Sequence, residues 1–367
     1  MKKTKGKICI VCTSLDSGGA ERASATQSVI FDSLGFEVYV VTVNSGVAYQ
    51  FKGTLFDIGA QKKEKDNSLE RFKRLLIFKK FLDKNKFDLI VDNRPRNQAY
   101  REFIVTKLIY NIPTIYVIHS FEESLAFTKY SWLNKFLYQN RVMVCVSNAG
   151  TEKFKNLYNL KNIHTIYNAF DFNKIEEYSR KEIKHLKIDD YIVFYGRVHD
   201  KSKNLKLLLE AYKMSKLKEK NIKMLILGDG PDLNLIQSYS NQLGLNHSVV
   251  FKAFTKNPFP FVKNARFLVL TSRSEGFAMV IPEALSLGVP VVSVNCNAGP
   301  VEIISNEYNG LLVDNFNPKA LAKALDRFVE DENIYNKCKE NTMLSVKKFS
   351  LEMITKQWID LISKIQE

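Results

Sequence analysis

The chain is expected to fold as two doubly wound α/β domains, each a parallel sheet covered on both faces by helices. Short β-branched runs alternate with longer amphipathic stretches along all 367 residues, which is the pattern of repeated βαβ units. The runs are apolar throughout, as strands buried on both faces must be. The length also suits two domains of roughly 100–200 residues.

Runs at residues 8–12, 38–43, 88–91, 114–118 and 142–146 predict the strands of the first half. Those at 191–195, 224–227, 249–251, 267–270 and 289–294 predict the strands of the second. Residues 171–190 are charged and polar and read as the break between the halves, with a fresh strand starting at Tyr191. Residues 349–365 predict an amphipathic helix with Met353, Trp358, Leu361, Ile362 and Ile365 on its apolar side. No short-period repeat or low-complexity segment interrupts this order. Two such domains are expected to place a ligand cleft between the carboxyl ends of their strands.

Composition narrows the class. With 45% hydrophobic and 25% charged residues, the chain is neither disordered nor collagen-like. No apolar run approaches the ~18 residues of a membrane span. The basic start at residues 1–7 leads into only five apolar residues, 8–12, fewer than the ~7–15 of a secretory leader, so a cytoplasmic start is expected. Cys9 and Cys12 form a C-x-x-C, but they lie in a strand that puts their sulfurs on opposite faces. No second Cys or His pair follows at zinc spacing, and the five cysteines are expected to be buried and reduced.

The net charge of +15 is uneven: residues 1–175 hold 27 Lys/Arg against 16 Asp/Glu, the rest 27 against 23. A basic half points to a partner carrying phosphate or anionic lipid. Nucleic acid is not expected, since no zinc finger, RRM-type signature or basic-aromatic repeat is present. Residues 61–86 carry ten Lys/Arg against four acids, interleaved with Leu69, Phe72, Leu75, Leu76, Phe78, Phe81 and Leu82. This is either a helix packed on the sheet with a solvated basic face or a surface that lies on anionic lipid.

Four motifs carry chemistry. Gly18-Gly19-Ala20-Glu21-Arg22 opens a helix after the first strand, and its glycines permit close approach of an anion to the backbone. It matches neither G-x-G-x-x-G nor a P-loop. Gly196-Arg197 ends a strand, with Lys201, Lys203 and Asn204 next; two cations there can grip a diphosphate. Gly228-Asp229-Gly230-Pro231 follows a strand and reads as a turn. In the stretch from Ser274 to Ala284, a loop carboxylate, Glu275, and a helix carboxylate, Glu283, can accept hydrogen bonds from the hydroxyls of one ligand. The amides of Gly276 to Met279 suit phosphate.

Taken in order and spacing, these motifs resemble the retaining glycosyltransferases of family 4, with the GT-B fold. The resemblance extends to Tyr167-Asn168-Ala169-Phe170-Asp171, with Ala169 where the family usually has glycine. Asn257-Pro258-Phe259-Pro260 and Gly299-Pro300 with Glu302-Ile303-Ile304 are similar to a bacterial subgroup that builds surface polysaccharides and lipid-linked glycans.

The resemblance implies an N-terminal acceptor domain of residues 1–172 joined by a C-terminal helix at 349–367, and a donor domain of residues 173–348. Arg197 and Lys203 would neutralise the leaving diphosphate, and Gly18 and Gly19 would let the first domain close over it. Glu283 would bind the ribose; Glu275, with the backbone of Phe277, Ala278 and Met279, would bind the donor sugar. Gly228, Gly276 and Val280 complete the implied donor site, and His119 would reach the sugar. Ser147, Asn168, Arg94 and Arg96 are candidates for the acceptor side, the two arginines near an acceptor phosphate.

No Asp-x-Asp stands in the family's key positions, and Arg197 and Lys203 cover the phosphate charge, so neither metal nor other cofactor is expected. The implied reaction moves a sugar, a UDP-hexose or UDP-N-acetylhexosamine being favoured, to a glycan or polyprenyl-linked acceptor. It would take place in the cytoplasm, peripherally on the inner face of the membrane. An epimerase or hydrolase of similar fold, or a non-catalytic nucleotide-sugar binder, is the alternative.

Overall fold

The structure, a computed structural model, describes residues 5–62, 67–183 and 188–366. It divides into two compact units, Met1–Ala169 with Leu351–Glu367, and Phe170–Ser350. The first runs β1 (Lys7–Cys12), α1 (Gly19–Ser33), β2 (Glu37–Thr42), β3 (Thr54–Asp57), α2 (Ser68–Asn85), β4 (Leu89–Asp92) and α3 (Ala99–Ile104). A π turn (Val105–Ile109), β5 (Thr114–Ile118), α4 (Glu123–Ala126), α5 (Ser131–Tyr138), β6 (Val142–Cys145), α6 (Asn148–Tyr158) and β7 (Asn162–Thr165) follow.

The second unit runs α7 (Phe172–Ser179), β8 (Tyr191–Tyr195), α8 (Asp200–Lys203), α9 (Leu205–Met214), β9 (Lys223–Leu227), α10 (Leu233–Gln242), β10 (Val249–Lys252) and α11 (Phe259–Lys263). It continues with β11 (Leu268–Leu270), α12 (Val280–Ser286), β12 (Val291–Asn295), α13 (Pro300–Ile303), β13 (Gly310–Asp314), α14 (Pro318–Glu330) and α15 (Glu332–Ser345). The last helix, α16 (Leu351–Gln366), belongs to the first unit.

Both sheets are parallel, with strand orders β3-β2-β1-β4-β5-β6-β7 and β10-β9-β8-β11-β12-β13. Each is a doubly wound sheet, and the direction of winding reverses between β1 and β4 in the first and between β8 and β11 in the second. In the first unit, Cys9, Val11, Ile90, Tyr116 and Met143 face a core built with Phe78 and Leu82 of α2, Ile104 of α3, Leu133 and Leu137 of α5, and Phe154 of α6. Alternation sends Ile8 and Ile10, also fully buried, to the opposite face.

The structure revises several sequence-based expectations. Residues 172–179, expected as a break, form α7, capped by Asp171 and tied to α11 through Lys263 to Glu176 at 2.7 Å. The units divide at Ala169/Phe170 and Ser350/Leu351 rather than near 172 and 349. Phe170 and Phe349 are joined by a 2.9 Å backbone hydrogen bond and both rings pack against Phe277, Phe170 tilted and Phe349 edge to face, which fixes them in the second unit. On α16, Met353 is 46% exposed and Ile354 is buried in its place, with Trp358, Leu361 and Ile362. The five cysteines are free and buried.

Trp358 meets Phe31 of α1 edge to face, with ring centroids 5.4 Å apart. Replacing it leaves a cavity between two helices of one unit. Trp358→Ala should cost the first unit about 3–5 kcal/mol in denaturant unfolding. A loss under ~1 kcal/mol would show that α16 is dispensable to that unit.

Candidate active site

Parallel strands collect all their carboxyl-terminal loops on one rim, and a winding reversal leaves a crevice in that rim between the two strands whose connections run opposite ways. In the second unit those strands are β8 and β11, paired through Val193 and Leu268. The loops that follow them are stitched together. Thr271 Oγ1 donates to the Lys203 carbonyl at 2.8 Å, Arg273 N donates to the Ser202 carbonyl at 2.9 Å, and the Arg273 guanidinium donates to Asn204 Oδ1 at 2.7 Å. Lys203 Nζ then lies 2.6 Å from Glu275 Oε1, which also accepts from Ser272 Oγ at 2.6 Å. Both side chains are part-buried, at 24% and 14% exposure. Arg197 stands exposed on the loop after β8.

The neighbouring loop after β9 packs against this one closely enough to exclude side chains. A Cβ on Gly228 would lie 2.0 Å from the Gly196 carbonyl oxygen, and one on Gly230 would lie 2.1 Å from that of Val198. Gly228 also has φ of 148°. The Gly-Asp-Gly segment is therefore a close-approach site as well as a turn. Glu283, in the first turn of α12, is 1% exposed and accepts a hydrogen bond from the Tyr195 hydroxyl at 2.5 Å. Phe277 and Ala278 are buried, Ala278 with φ of 59°, while Gly276, Met279 and Val280 are part-exposed. Behind the ion pair lies Cys296, whose thiol burial, and then the charge of Glu275, push up to about 12.

In the first unit the reversal falls between β1 and β4. After β1, Gly18 caps α1 with φ of 116°, and Gly19 begins the helix. After β4, buried Asn93 donates through Nδ2 to Gln27 Oε1 at 2.7 Å and lies 2.7 Å from His119 Nε2 through Oδ1. An amide oriented in this way requires His119 to donate from Nε2. Burial, and then the Arg96 guanidinium, push the imidazole down to about 3, so it is neutral with a lone pair on Nδ1. Ser147 caps α6 by accepting from the Gly150 amide, and Asn168 is buried after β7.

Arg94 and Arg96 do not face outward, which corrects the expectation of a role at an acceptor phosphate. Arg94 is 5% exposed and grips Asp92 with Nε at 2.9 Å and Nη2 at 2.6 Å. Arg96 is 1% exposed and donates to the carbonyls of Asp92, Arg94 and Val117. Burial opposes the Asp92 charge, but Arg94 and then Arg96 outweigh it and hold the carboxyl below its usual range. The β4 strand ends on Asp92, and a buried carboxylate there needs a cation. Missed in the sequence were Tyr195, Thr271 and Ser272, all at strand ends, and Gln27, a polar residue on the buried side of α1.

Two family models match the chain in succession: "Glycosyltransferase Family 4" over residues 17–174 and "Glycosyl transferases group 1" over residues 175–344. A Campylobacter jejuni N-acetylgalactosamine-N,N'-diacetylbacillosaminyl-diphospho-undecaprenol 4-alpha-N-acetylgalactosaminyltransferase is 28% identical over 359 residues, covering 94% of this chain and 95% of that one. The same organism's GalNAc-alpha-(1->4)-GalNAc-alpha-(1->3)-diNAcBac-PP-undecaprenol alpha-1,4-N-acetyl-D-galactosaminyltransferase is 24% identical over 366 residues, 98% and 99% of the two chains. Among solved structures, Anabaena HepE in complex with UDP and glucose superposes with a TM-score of 0.78 at 19% identity, over 98% of this chain and all of that one. The architecture is thus that of the GT-B proteins, and the chain belongs to the family 4 glycosyltransferases.

The His119 environment has a measurable consequence. A histidine at about 3 when folded and about 6.5 when unfolded takes up its proton only in the unfolded chain between those values. Its contribution to stability is therefore complete above about pH 6.5 and is lost as the pH falls toward 3. Urea midpoints measured across that range should fall less steeply for His119→Asn than for the parent. Parallel slopes would place the imidazole in water.

Proposed function

We propose that this chain transfers a sugar, with retention of anomeric configuration, from a UDP-hexose or UDP-N-acetylhexosamine to a glycan or polyprenyl-linked acceptor on the inner face of a membrane. The observation that carries this reading is the hydrogen-bonded set at the β8/β11 reversal. Two cations, Arg197 and Lys203, stand on the same rim as two carboxylates of different exposure, Glu275 and Glu283. The names of the Campylobacter relatives, which act on undecaprenol diphosphate-linked glycans, support the acceptor class. The UDP complexes of structural neighbours support the donor.

The barrier lies in parting the anomeric carbon from a diphosphate, as positive charge grows on the ring and negative charge on the leaving oxygen. Cations already fixed where that anion develops stabilise it without reorganising. Lys203 is aimed by its bond to Glu275, so a bound diphosphate takes over a lysine already oriented, and Glu275 becomes free for sugar hydroxyls. Glu283, shielded from water and oriented by Tyr195, suits a pair of ribose hydroxyls. Glu275 is paired with a cation and is not cast as a nucleophile. His119, neutral and with Nδ1 open as an acceptor, suits a hydroxyl of the sugar. No metal is needed where Arg197 and Lys203 meet the phosphate charge, so EDTA should leave the rate unchanged.

The basic helix α2 buries Phe78 and Leu82 on the sheet while Leu69, Phe72 and Leu76 stay 60%, 44% and 43% exposed. Of its run of cations, Lys63 and Lys65 lie outside the described residues. The remainder suit anionic headgroups.

Transfer is tested by incubating UDP-sugars with a polyprenyl diphosphate-linked acceptor and following the glycosylated lipid; hydrolysis of the donor alone would reject the reading. In that assay Arg197→Ala and Lys203→Ala should each lose roughly 2–4 kcal/mol of transition-state stabilisation, seen in kcat/KM. Near-normal rates in both would remove them from the site. The two carboxylates should separate by ligand: Glu283→Gln weakens binding of UDP itself, whereas Glu275→Gln mainly weakens the complete UDP-sugar. Equal losses for both ligands would overturn that division.

A further inference from the structure

The outer face of α3, the π turn and α5 carries apolar bulk that the donor and acceptor chemistry leaves unexplained. Tyr100, Phe103, Leu108, Trp132 and Phe136 are 78%, 43%, 60%, 68% and 59% exposed. Tyr100, Phe103 and Lys107 follow one another at spacings of three and four, and Trp132 and Phe136 at four, so each set lies along one helical face. The two faces adjoin. Lys107 Nζ sits 4.3 Å over the Phe136 ring, and the Tyr138 hydroxyl of α5 donates to Glu102 of α3 at 3.1 Å. Their inner residues Ile104, Leu133 and Leu137 are buried, so these helices are already packed and their aromatic side faces outward. Beneath this face, in the core, Phe78 of α2 meets Tyr110, the residue after the π turn, at 6.1 Å between centroids.

Charge on this face has one sign. Within residues 99–110 and 129–138 the cations are Arg101, Lys107, Lys129 and Lys135, and the single acid, Glu102, is fully buried and paired with Arg101 at 2.9 Å. Isolated exposed apolar residues are ordinary, but a group of large ones ringed by cations marks an interaction surface. Trp and Tyr beside Lys is the combination that settles at a bilayer's headgroup level. A symmetric contact with a second copy would set the same cations against themselves.

We propose that the face of α3, the π turn and α5 docks on an anionic lipid bilayer, with Trp132 and Phe136 entering the headgroup region and Lys107, Lys129 and Lys135 meeting lipid phosphates. The proposal rests on the lipid-surface reading above and deepens it by moving the apolar anchor from α2 to this face.

The chain has two tryptophans, and Trp358 is 2% exposed, so Trp132 is a built-in reporter. Adding vesicles of phosphatidylglycerol and phosphatidylcholine to the full-length protein should shift its emission to shorter wavelength; vesicles of phosphatidylcholine alone should not. Trp132→Ser combined with Phe136→Ser should weaken co-sedimentation with the anionic vesicles at least tenfold while leaving the melting temperature unchanged. Anionic-vesicle binding with Trp132 emission unmoved and the double variant unaffected would overturn the proposal. If Lys73, Arg74, Lys79 and Lys80 changed together to Glu abolished that same binding, the lipid reading would survive with α2 alone as its surface. No vesicle binding at all would reject both. Lipid-independent self-association, lost in the double variant, would reassign the face to a second copy.

Discussion

Every strand in both sheets is parallel, and this constraint determines where the chemistry can be. A parallel strand must return through a crossover, so all carboxyl-terminal loops of a sheet share one rim. The winding reverses once in each sheet, and at that point the rim opens between two loops. In the second unit the opening holds Lys203 and Glu275, 72 residues apart in the chain. In the first it holds Gly18, Asn93 and, one strand further, His119. The functional candidates are scattered in sequence because a doubly wound sheet gathers them from the ends of different strands.

Lys203, Glu275, Glu283 and His119 are each held by a neighbour with no obvious chemistry of its own. Ser272 shares the oxygen of Glu275 that Lys203 meets, and Thr271 pins the backbone of Lys203. Tyr195 orients Glu283, and Asn93, itself held by Gln27, fixes the proton of His119. Side chains held in this way lose little freedom on meeting a ligand, and such preorganisation lets fixed charge lower a barrier. The Asp92–Arg94 pair uses the same charge types for another end. It is closed off from water and serves to terminate β4.

Much of this was readable from the sequence. Fully buried strands announce themselves as apolar runs, and the spacing of Gly228 and Gly230 and of Glu275 and Glu283 carried the site. The missed strands are mostly polar or poorly covered: β3 (Thr54–Asp57) and β7 (Asn162–Thr165) are edge strands with no fully buried residue. Arg94 and Arg96 were misjudged because two arginines after a strand look alike whether they face solvent or a buried aspartate. Only the fold shows that Asp92 sits beneath them. Residues 172–179 misled for a similar reason, since Ile175 is the one buried apolar residue of α7 and polar residues make up most of the rest. The supporting partners, Tyr195, Ser272 and Gln27, carry no motif and become visible only when strands are placed side by side.

The central claim is that the β8/β11 reversal receives the nucleoside diphosphate. Amide hydrogen exchange on the full-length protein, with and without saturating UDP, tests this directly. Exchange should slow in residues 196–204, 228–231 and 271–283, the loops that meet at this reversal. Saturation with no protection in those three segments, or with protection confined to the loops of the first unit, would contradict the account.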